Sequence, residues 1–578
     1  MIPYQTSNNL RIGDTVDAAE WAAMRGRTDR RTFLGVLLAA GYSLTAADAM
    51  AQQADAVRAN QEALAAALQT SYDYIVVGAG SSGCVVAHRL AENSAARVLL
   101  LEAGGSDEVD SVTNPGIWFT NIRSALDWGY TAEPSKAVNG RALILPMGKV
   151  IGGGSSINGS IYARGHQRDY DGWAEAAGDR MWGYEHVLEI FRRIEDFQGP
   201  ADARRRGRGG LFHSQIANDP NPVAPAMVKA AKSVGIPSFD DINGAMMEGA
   251  GGCALAQHAI KDGRRHSVAR TYLHPAMAKP NLTVLTGAEV SRLMLAGHRA
   301  TGIEMTWRGR QLKIAAGKEV ILCAGAINSP RILMHSGIGD ANDLKKAGVA
   351  VTHNLPGVGR NFQDHVLAAG CIWEYPSALP PRNNAAECTL FWKSDAGLPG
   401  PDLQPIQVEI PFANEVTGKQ FQVVPGAWSI APGLVKPKSR GRVMVRGPEV
   451  KDGMRIEANF LQHPGDLKAL VRAVELSREI GNAREMREFV KREVMPGPLK
   501  GKALEDFVRN AAGTYYHEVG TCRMGRDRDA VVDAQLRVRG IEGLRVADGS
   551  IMPEVTTGNT MIPCVVIGER MGEILKST

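Results

Sequence analysis

The stretch Tyr74-Ile75-Val76-Val77-Gly78-Ala79-Gly80-Ser81-Ser82-Gly83 constrains this chain more than any other. Its apolar run has the length and β-branched content of a buried parallel strand. The run enters G-x-G-x-x-G, and Cys84 to Leu90 then follows with helical spacing. The first glycine permits a tight turn, the second lets a pyrophosphate approach the backbone, and the third lets helix pack on strand. The helix start then offers free N–H groups and a positive dipole end to phosphate. A second predicted strand, Arg97 to Leu101, ends at Glu102, 24 residues after Gly78. A carboxylate there suits a ribose diol. Strand, glycines, helix, strand and acid in this order predict a dinucleotide site.

A chain of 578 residues exceeds a single core and predicts at least two domains. A net charge of +5, from 66 basic and 61 acidic residues, is small for this length. No basic block interleaves with aromatics, which argues against nucleic-acid binding. The seven cysteines are scattered and never form C-x-x-C. That spacing argues against zinc and against a disulfide framework.

A second glycine-rich segment, Gly148-Lys149-Val150-Ile151-Gly152-Gly153-Gly154-Ser155-Ser156-Ile157-Asn158-Gly159-Ser160, cannot be a helix interior. It suits a backbone wrapped closely around a ligand. Helices are predicted over 169–197 and 220–234, and strands at 128–130, 281–286, 290–295, 300–306 and 319–326. Asn328-Ser329-Pro330 reads as a helix start. The arginines of 201–210 read as a solvated loop. Strands are expected at 406–410, 421–424 and 442–445, and an amphipathic helix at 467–480. Leu544 to Asp548 then returns to the strand-ending-in-acid pattern, so one domain is interrupted by another.

Near the N-terminus, Thr28-Asp29-Arg30-Arg31-Thr32-Phe33-Leu34 precedes an apolar stretch from Gly35. It resembles a twin-arginine export signal, with small-residue cleavage candidates up to Ala51. The stretch is too short and interrupted for a stable membrane span. Residues 1–51 are therefore expected to be a signal peptide and the protein periplasmic, with 52–70 a linker or helix.

From about Tyr72 onward the chain resembles the glucose–methanol–choline (GMC) family of FAD-dependent oxidoreductases. Four separated motifs carry the resemblance: Gly78–Gly83 with Glu102; Gly148–Asn158; Gly325–Pro330 through Ser336–Gly339; and His517–Gly525 with Asp548–Pro553 and Gly558–Thr560. It implies a discontinuous Rossmann-like FAD domain (71–165, 270–370, 501–578) and an inserted α+β substrate domain on an antiparallel sheet (166–269, 371–500). It implies cofactor contacts from Gly78, Gly80, Ser81, Ser82, Gly83 and Glu102. The first signature would add Gly148, Gly153, Ser155, Asn158, Gly159 and Ser160. Val290, Asp548, Gly549, Asn559 and Thr560 complete the set. Some choline-oxidising members carry a flavin-linking histidine just before the signature asparagine. Here that position is Ile157, so FAD is expected to be noncovalent.

Alcohol oxidation removes a hydroxyl proton and a hydride. Histidine suits the proton because its ordinary pKa lies near neutrality. The resemblance assigns the base to His517 and the orienting hydrogen bond to Asn559, 42 residues on. Trp373, Phe391, Trp392, Phe412, Phe421 and Trp428 are candidates for an apolar wall, and Glu409 and Glu415 for meeting a cation such as choline. The expected activity is FAD-dependent oxidation of a primary alcohol to an aldehyde, leaning to a dehydrogenase. A choline-type dehydrogenase, or a lyase or photodecarboxylase on the same flavin fold, stands as the alternative. A flavin-binding protein without chemistry is a third. The acceptor is oxygen, a quinone or a cytochrome. Which of these it is, the alcohol and the oligomeric state are not written in the residues.

Overall fold

Strand Ser71–Val77 runs parallel to Val98–Glu102 on one side and to the second half of Arg310–Leu322 on the other. The computed structural model describes residues 29–39, 43–217 and 219–577, with Ala23 beside them. Leu282–Thr286 extends the parallel sheet at one edge. At the other, Arg310–Leu322 is shared. Its first half pairs antiparallel with Arg299–Trp307, which pairs with Ala288–Ala296, and its second half pairs parallel with Leu544–Val546. The central strands are apolar on both faces because helices cover both; every residue of Val98–Glu102 is buried.

A second sheet of six strands is antiparallel throughout. Its order is Arg492–Met495, Cys371–Glu374, Ala427–Ala431, Ile406–Val408, Cys388–Phe391 and Gly252–Leu255. Helix Pro464–Gly481 packs against it. The fold is thus mixed α/β, a parallel sheet plus an antiparallel one. A small third sheet, Gly433–Leu434, Val366–Ala368 and Ala512–Thr514, lies where segments of both meet.

Four local expectations are corrected. Residues 421–424 are not a strand. Asn414 accepts from the Thr417 N–H and starts helix Glu415–Phe421, which left-handed Gln422 ends. The helix expected at Asn328 begins at Gly325 and carries Pro330 inside it. Proline cannot donate to the Ala326 carbonyl, and the Thr521 hydroxyl donates to that carbonyl instead. In the 201–210 loop, Arg206 is buried, ion-paired with Glu195 and Asp241. The strand read at 128–130 is Tyr130–Thr131.

Residues 1–22 and 24–28, part of the expected signal, lie outside the described residues. Arg30–Ala39 is a helix with Phe33 and Leu37 buried, and Arg30 pairs with Asp48. A second helix, Leu44–Ala66, covers the edge strand Leu282–Thr286. There Gln61 donates to the Leu282 carbonyl at 2.9 Å and accepts from the Val284 N–H at 3.0 Å. Among the described residues no helix is long and apolar enough to cross a membrane.

Candidate active site

A long cleft of about 1920 Å³, mouth included, runs from the parallel sheet to the antiparallel one. At its first end the turn after Ser71–Val77 is built from glycine by necessity. Gly78 has φ +101°, and a Cβ there would lie 2.5 Å from the Cys323 carbonyl oxygen. A Cβ on Gly83 would lie 1.9 Å from the Gly78 oxygen. A Cβ on Gly80 would instead meet only the Cys323 carbonyl oxygen, at 3.9 Å, and helix Ser81–Ala91 starts without a side-chain cap. Its first-turn N–H groups are therefore available to an anion. Glu102 sits across this end, accepting from the Ala79 N–H at 2.9 Å and the Gly104 N–H at 2.8 Å. Burial pushes its carboxyl up to about 7 despite those two donors.

The opposite end is organised by the small third sheet. Val366 pairs with Thr514, and further along Gln363 bridges Val519. Between those points residues 515–518 face only residues 364–365, so the longer side bulges. Tyr516 takes up a left-handed φ of +68° in the bulge. The Asp364 carboxylate accepts from the Thr514 hydroxyl and from the His517 N–H at 3.0 Å, which fixes the bulge. His517 is thereby aimed into the cleft, with Tyr515 stacked on it at 5.1 Å.

Asn559 arrives from the loop before helix Met561–Lys576. That loop is tied at Thr557, whose N–H and hydroxyl donate to Asp169 at 2.6 and 3.0 Å. Asn559 Nδ2 lies 3.2 Å from His517 Nε2. Asn559 Oδ1 accepts from Gln404 Nε2 at 3.1 Å. Behind His517, His365 Nδ1 lies 2.9 Å from His517 Nδ1, and His365 Nε2 lies 2.9 Å from the Thr556 carbonyl oxygen.

These contacts fix the protons. The Thr556 carbonyl only accepts, so His365 Nε2 carries hydrogen and its Nδ1 a lone pair. His517 must then donate from Nδ1, leaving the Nε2 lone pair beside the Asn559 amide. Burial holds His517 neutral, pulling it down to about 3. His365 is pushed well below its ordinary value by burial and then by His517. The arrangement is a neutral imidazole and a hydrogen-bond donor side by side on the wall of the cleft.

Models of the family described as GMC oxidoreductase match residues 72–367 and 437–568. The chain belongs to the GMC oxidoreductase family. It is 35% identical to an alcohol dehydrogenase [acceptor] of Pseudomonas putida over 87% of this chain and 95% of that one. It is 37% identical to the mitochondrial choline dehydrogenase of Homo sapiens, over 87% and 90%. Among solved structures, pyridoxine 4-oxidase from Mesorbium loti superposes with a TM-score of 0.84 at 35% identity, over 88% and 99%.

GMC oxidoreductases act on CH–OH donors, and the family implies FAD. The residues present fit that group. Gly154 leaves open space where a Cβ would stand, and a Cβ on Gly80 would meet nothing closer than the Cys323 carbonyl oxygen at 3.9 Å. The cleft has a buried carboxylate at one end. On its wall Glu518 Oε2 is buried with no partner. Among the described residues no cluster fit for a metal ion occurs.

Of the residues named from the sequence, Gly78, Gly80, Ser81, Ser82, Glu102, Gly148, Gly153, Asn158, Gly159, Val290, Asp548, Gly549, Asn559 and Thr560 line the cleft, as does His517. Three do not. Gly83 is a packing contact behind the turn. Ser155 donates to the Gly152 carbonyl and accepts from the Val268 N–H. The Ser160 hydroxyl accepts from buried Arg265 at 2.8 Å. Of the six aromatics, only Phe412 lines the cleft. Trp373 and Trp428 stack on one another at 4.7 Å in the core, because the two strands pair them directly.

Glu409 is buried and points away from the cleft, accepting from the Arg382 and Asn221 donors. Glu415 lies outside, paired with Lys419. Sequence reasoning missed His365, Asp364, Gln404 and Leu367. Only the adjacent acid and imidazole of Asp364-His365 offered a signal.

Proposed function

We propose that this GMC oxidoreductase converts a primary alcohol to an aldehyde, with His517 as the base. The observation that carries the reading is the pairing of the His517 Nε2 lone pair with the Asn559 amide at 3.2 Å on the cleft wall. A bound hydroxyl between them donates its proton to Nε2 and accepts from Asn559 Nδ2–H. His365 accepts the Nδ1–H throughout, so the imidazolium formed at His517 keeps its orientation. The apolar surroundings exclude water from the oxygen as charge develops on it. FAD, when bound, supplies the acceptor for the hydride leaving the carbinol carbon.

Held by Gly80, Ser81, Ser82 and Glu102, FAD is noncovalent on this reading, since Ile157 lines the cleft and offers no nucleophile. Acid precipitation of the protein should release the yellow colour to the supernatant. The twin arginines Arg30-Arg31 support export of the folded protein to the periplasm, where oxygen, a quinone or a cytochrome takes the electrons. The deciding experiment is anaerobic mixing with a panel of alcohols while the flavin band is watched. Bleaching in the native protein, slowed about 10²- to 10⁴-fold in His517→Ala with flavin retained, is the expected result. Undiminished bleaching in the variant removes His517 from the reaction.

A further inference from the structure

The chamber in front of His517 and Asn559 is a separate apolar cluster. Ile161, Leu367, Ala386, Ile406 and Val408 wall it, with Tyr515. These side chains come from both parts of the chain. Leu367 leads out of the His365 turn, Ile161 follows the glycine-rich segment, and Ile406 and Val408 lie on one strand of the antiparallel sheet. Alternation along that strand turns Gln407 and Glu409 to the other side. There Glu409 meets the Arg382 N–H and Asn221, whose own N–H donates to Glu387.

Four acids do reach the cleft, and none is placed to meet a cation here. Glu102 and Asp548 are at the nucleotide end, each holding backbone N–H groups. Glu289 is paired with Arg331 at 3.0 Å. Glu518 is buried, and burial and the neighbouring Asp364 push its carboxyl well above its ordinary value. Nor do the rings form a cage. The face of Tyr515 is covered by His517, and Trp118 is fixed edge-on to Tyr516 at 6.4 Å, its Nε1 donating to the Asn384 carbonyl. A quaternary ammonium entering this chamber would shed its hydration against walls that are chiefly aliphatic.

We infer that the alcohol this chamber accepts is uncharged and carries an apolar body, and that Leu367, Ile406 and Val408 make that choice. The inference rests on the reading of His517 as the base of an alcohol oxidation, and deepens it.

The test compares choline with 3,3-dimethylbutan-1-ol, its carbon isostere, on the flavin-loaded native protein under anaerobic conditions. An ethanol to butan-1-ol series runs beside them. Flavin reduction rates yield kcat/KM for each. The isostere should exceed choline at least about tenfold, and each added methylene should raise the value about fourfold, the worth of one buried methylene. Choline equal to or better than the best neutral alcohol overturns the inference and leaves alcohol oxidation standing. A series that stays flat with chain length also overturns it. Failure of every alcohol, charged or not, to bleach the flavin overturns the underlying reading instead.

Discussion

His365 and His517 meet nitrogen to nitrogen, Nδ1 to Nδ1, at 2.9 Å. The contact runs on to the Thr556 carbonyl, so the proton positions of both rings are set by one main-chain oxygen. Replacing His365 by Leu removes the acceptor behind His517 and frees its ring to flip or change tautomer. The rate of flavin reduction by alcohol should fall on the order of 10²-fold, within the range that a positioned base contributes. The bound flavin spectrum should not change. A variant with the native rate would leave His365 a packing residue.

The same pair makes the protein sensitive to acid. Both rings are pushed below their ordinary value in the folded state. The unfolded chain takes up protons as pH falls below about 6.5 while the folded chain does not, so this contribution is intact above that pH and is lost on acidification. Melting temperature should drop between pH 7 and pH 5, and drop less in His365→Leu. An equal drop in both proteins would mean that His365 is charged when folded.

Asn559 is held by Gln404 as well as by its own loop. Truncation of Asn559 to Ala should cost about 10²- to 10³-fold in turnover, as loss of an oxyanion donor does. Gln404→Leu should cost less and act through the same amide. The double variant should then be no slower than Asn559→Ala alone. A strictly multiplicative loss would make the two residues independent.

Much of this could be read from the residues alone. Fingerprint glycines and Glu102 announce themselves because their geometry is local: strand, turn and helix are consecutive; the His517 motif was legible only through the family resemblance. Family and fold class followed from them and are borne out by the structure. His365 was not readable, because it meets its partner 152 residues away through a bulge that leaves no periodic mark. Pro330 misled for a similar reason, since the hydroxyl that compensates it comes from Thr521, far along the chain. The aromatics Trp373 and Trp428 look like pocket residues by type. Strand register alone decides that they face each other.

Thr521 offers a test of that compensation. Thr521→Val leaves the Ala326 carbonyl buried without a donor and should cost about 1–3 kcal/mol in stability. Pro330→Ala restores a main-chain N–H to that carbonyl, so the Thr521→Val cost measured in its presence should shrink. Chemical denaturation of the four proteins completes the cycle.

Glu102, raised to about 7 by burial, should make cofactor capture pH-dependent. Ribose hydroxyls donating to this carboxylate favour its ionised form, so binding expels a proton and tightens as pH rises from 6 to 8. Fluorescence titration of apoprotein with FAD should show this slope, and Glu102→Gln should abolish it. A variant with the native slope would place the proton elsewhere.

The strand Leu544–Val546 that flanks Arg310–Leu322 is made long after the glycines of Gly78–Gly83. Until it emerges from the ribosome, Asp548, Asn559 and Thr560 do not exist opposite the N-terminal glycines. A nascent chain lacking them presents only part of the cleft's lining. Colour should appear only once the chain has passed Thr560, and any product truncated before that strand should stay permanently empty.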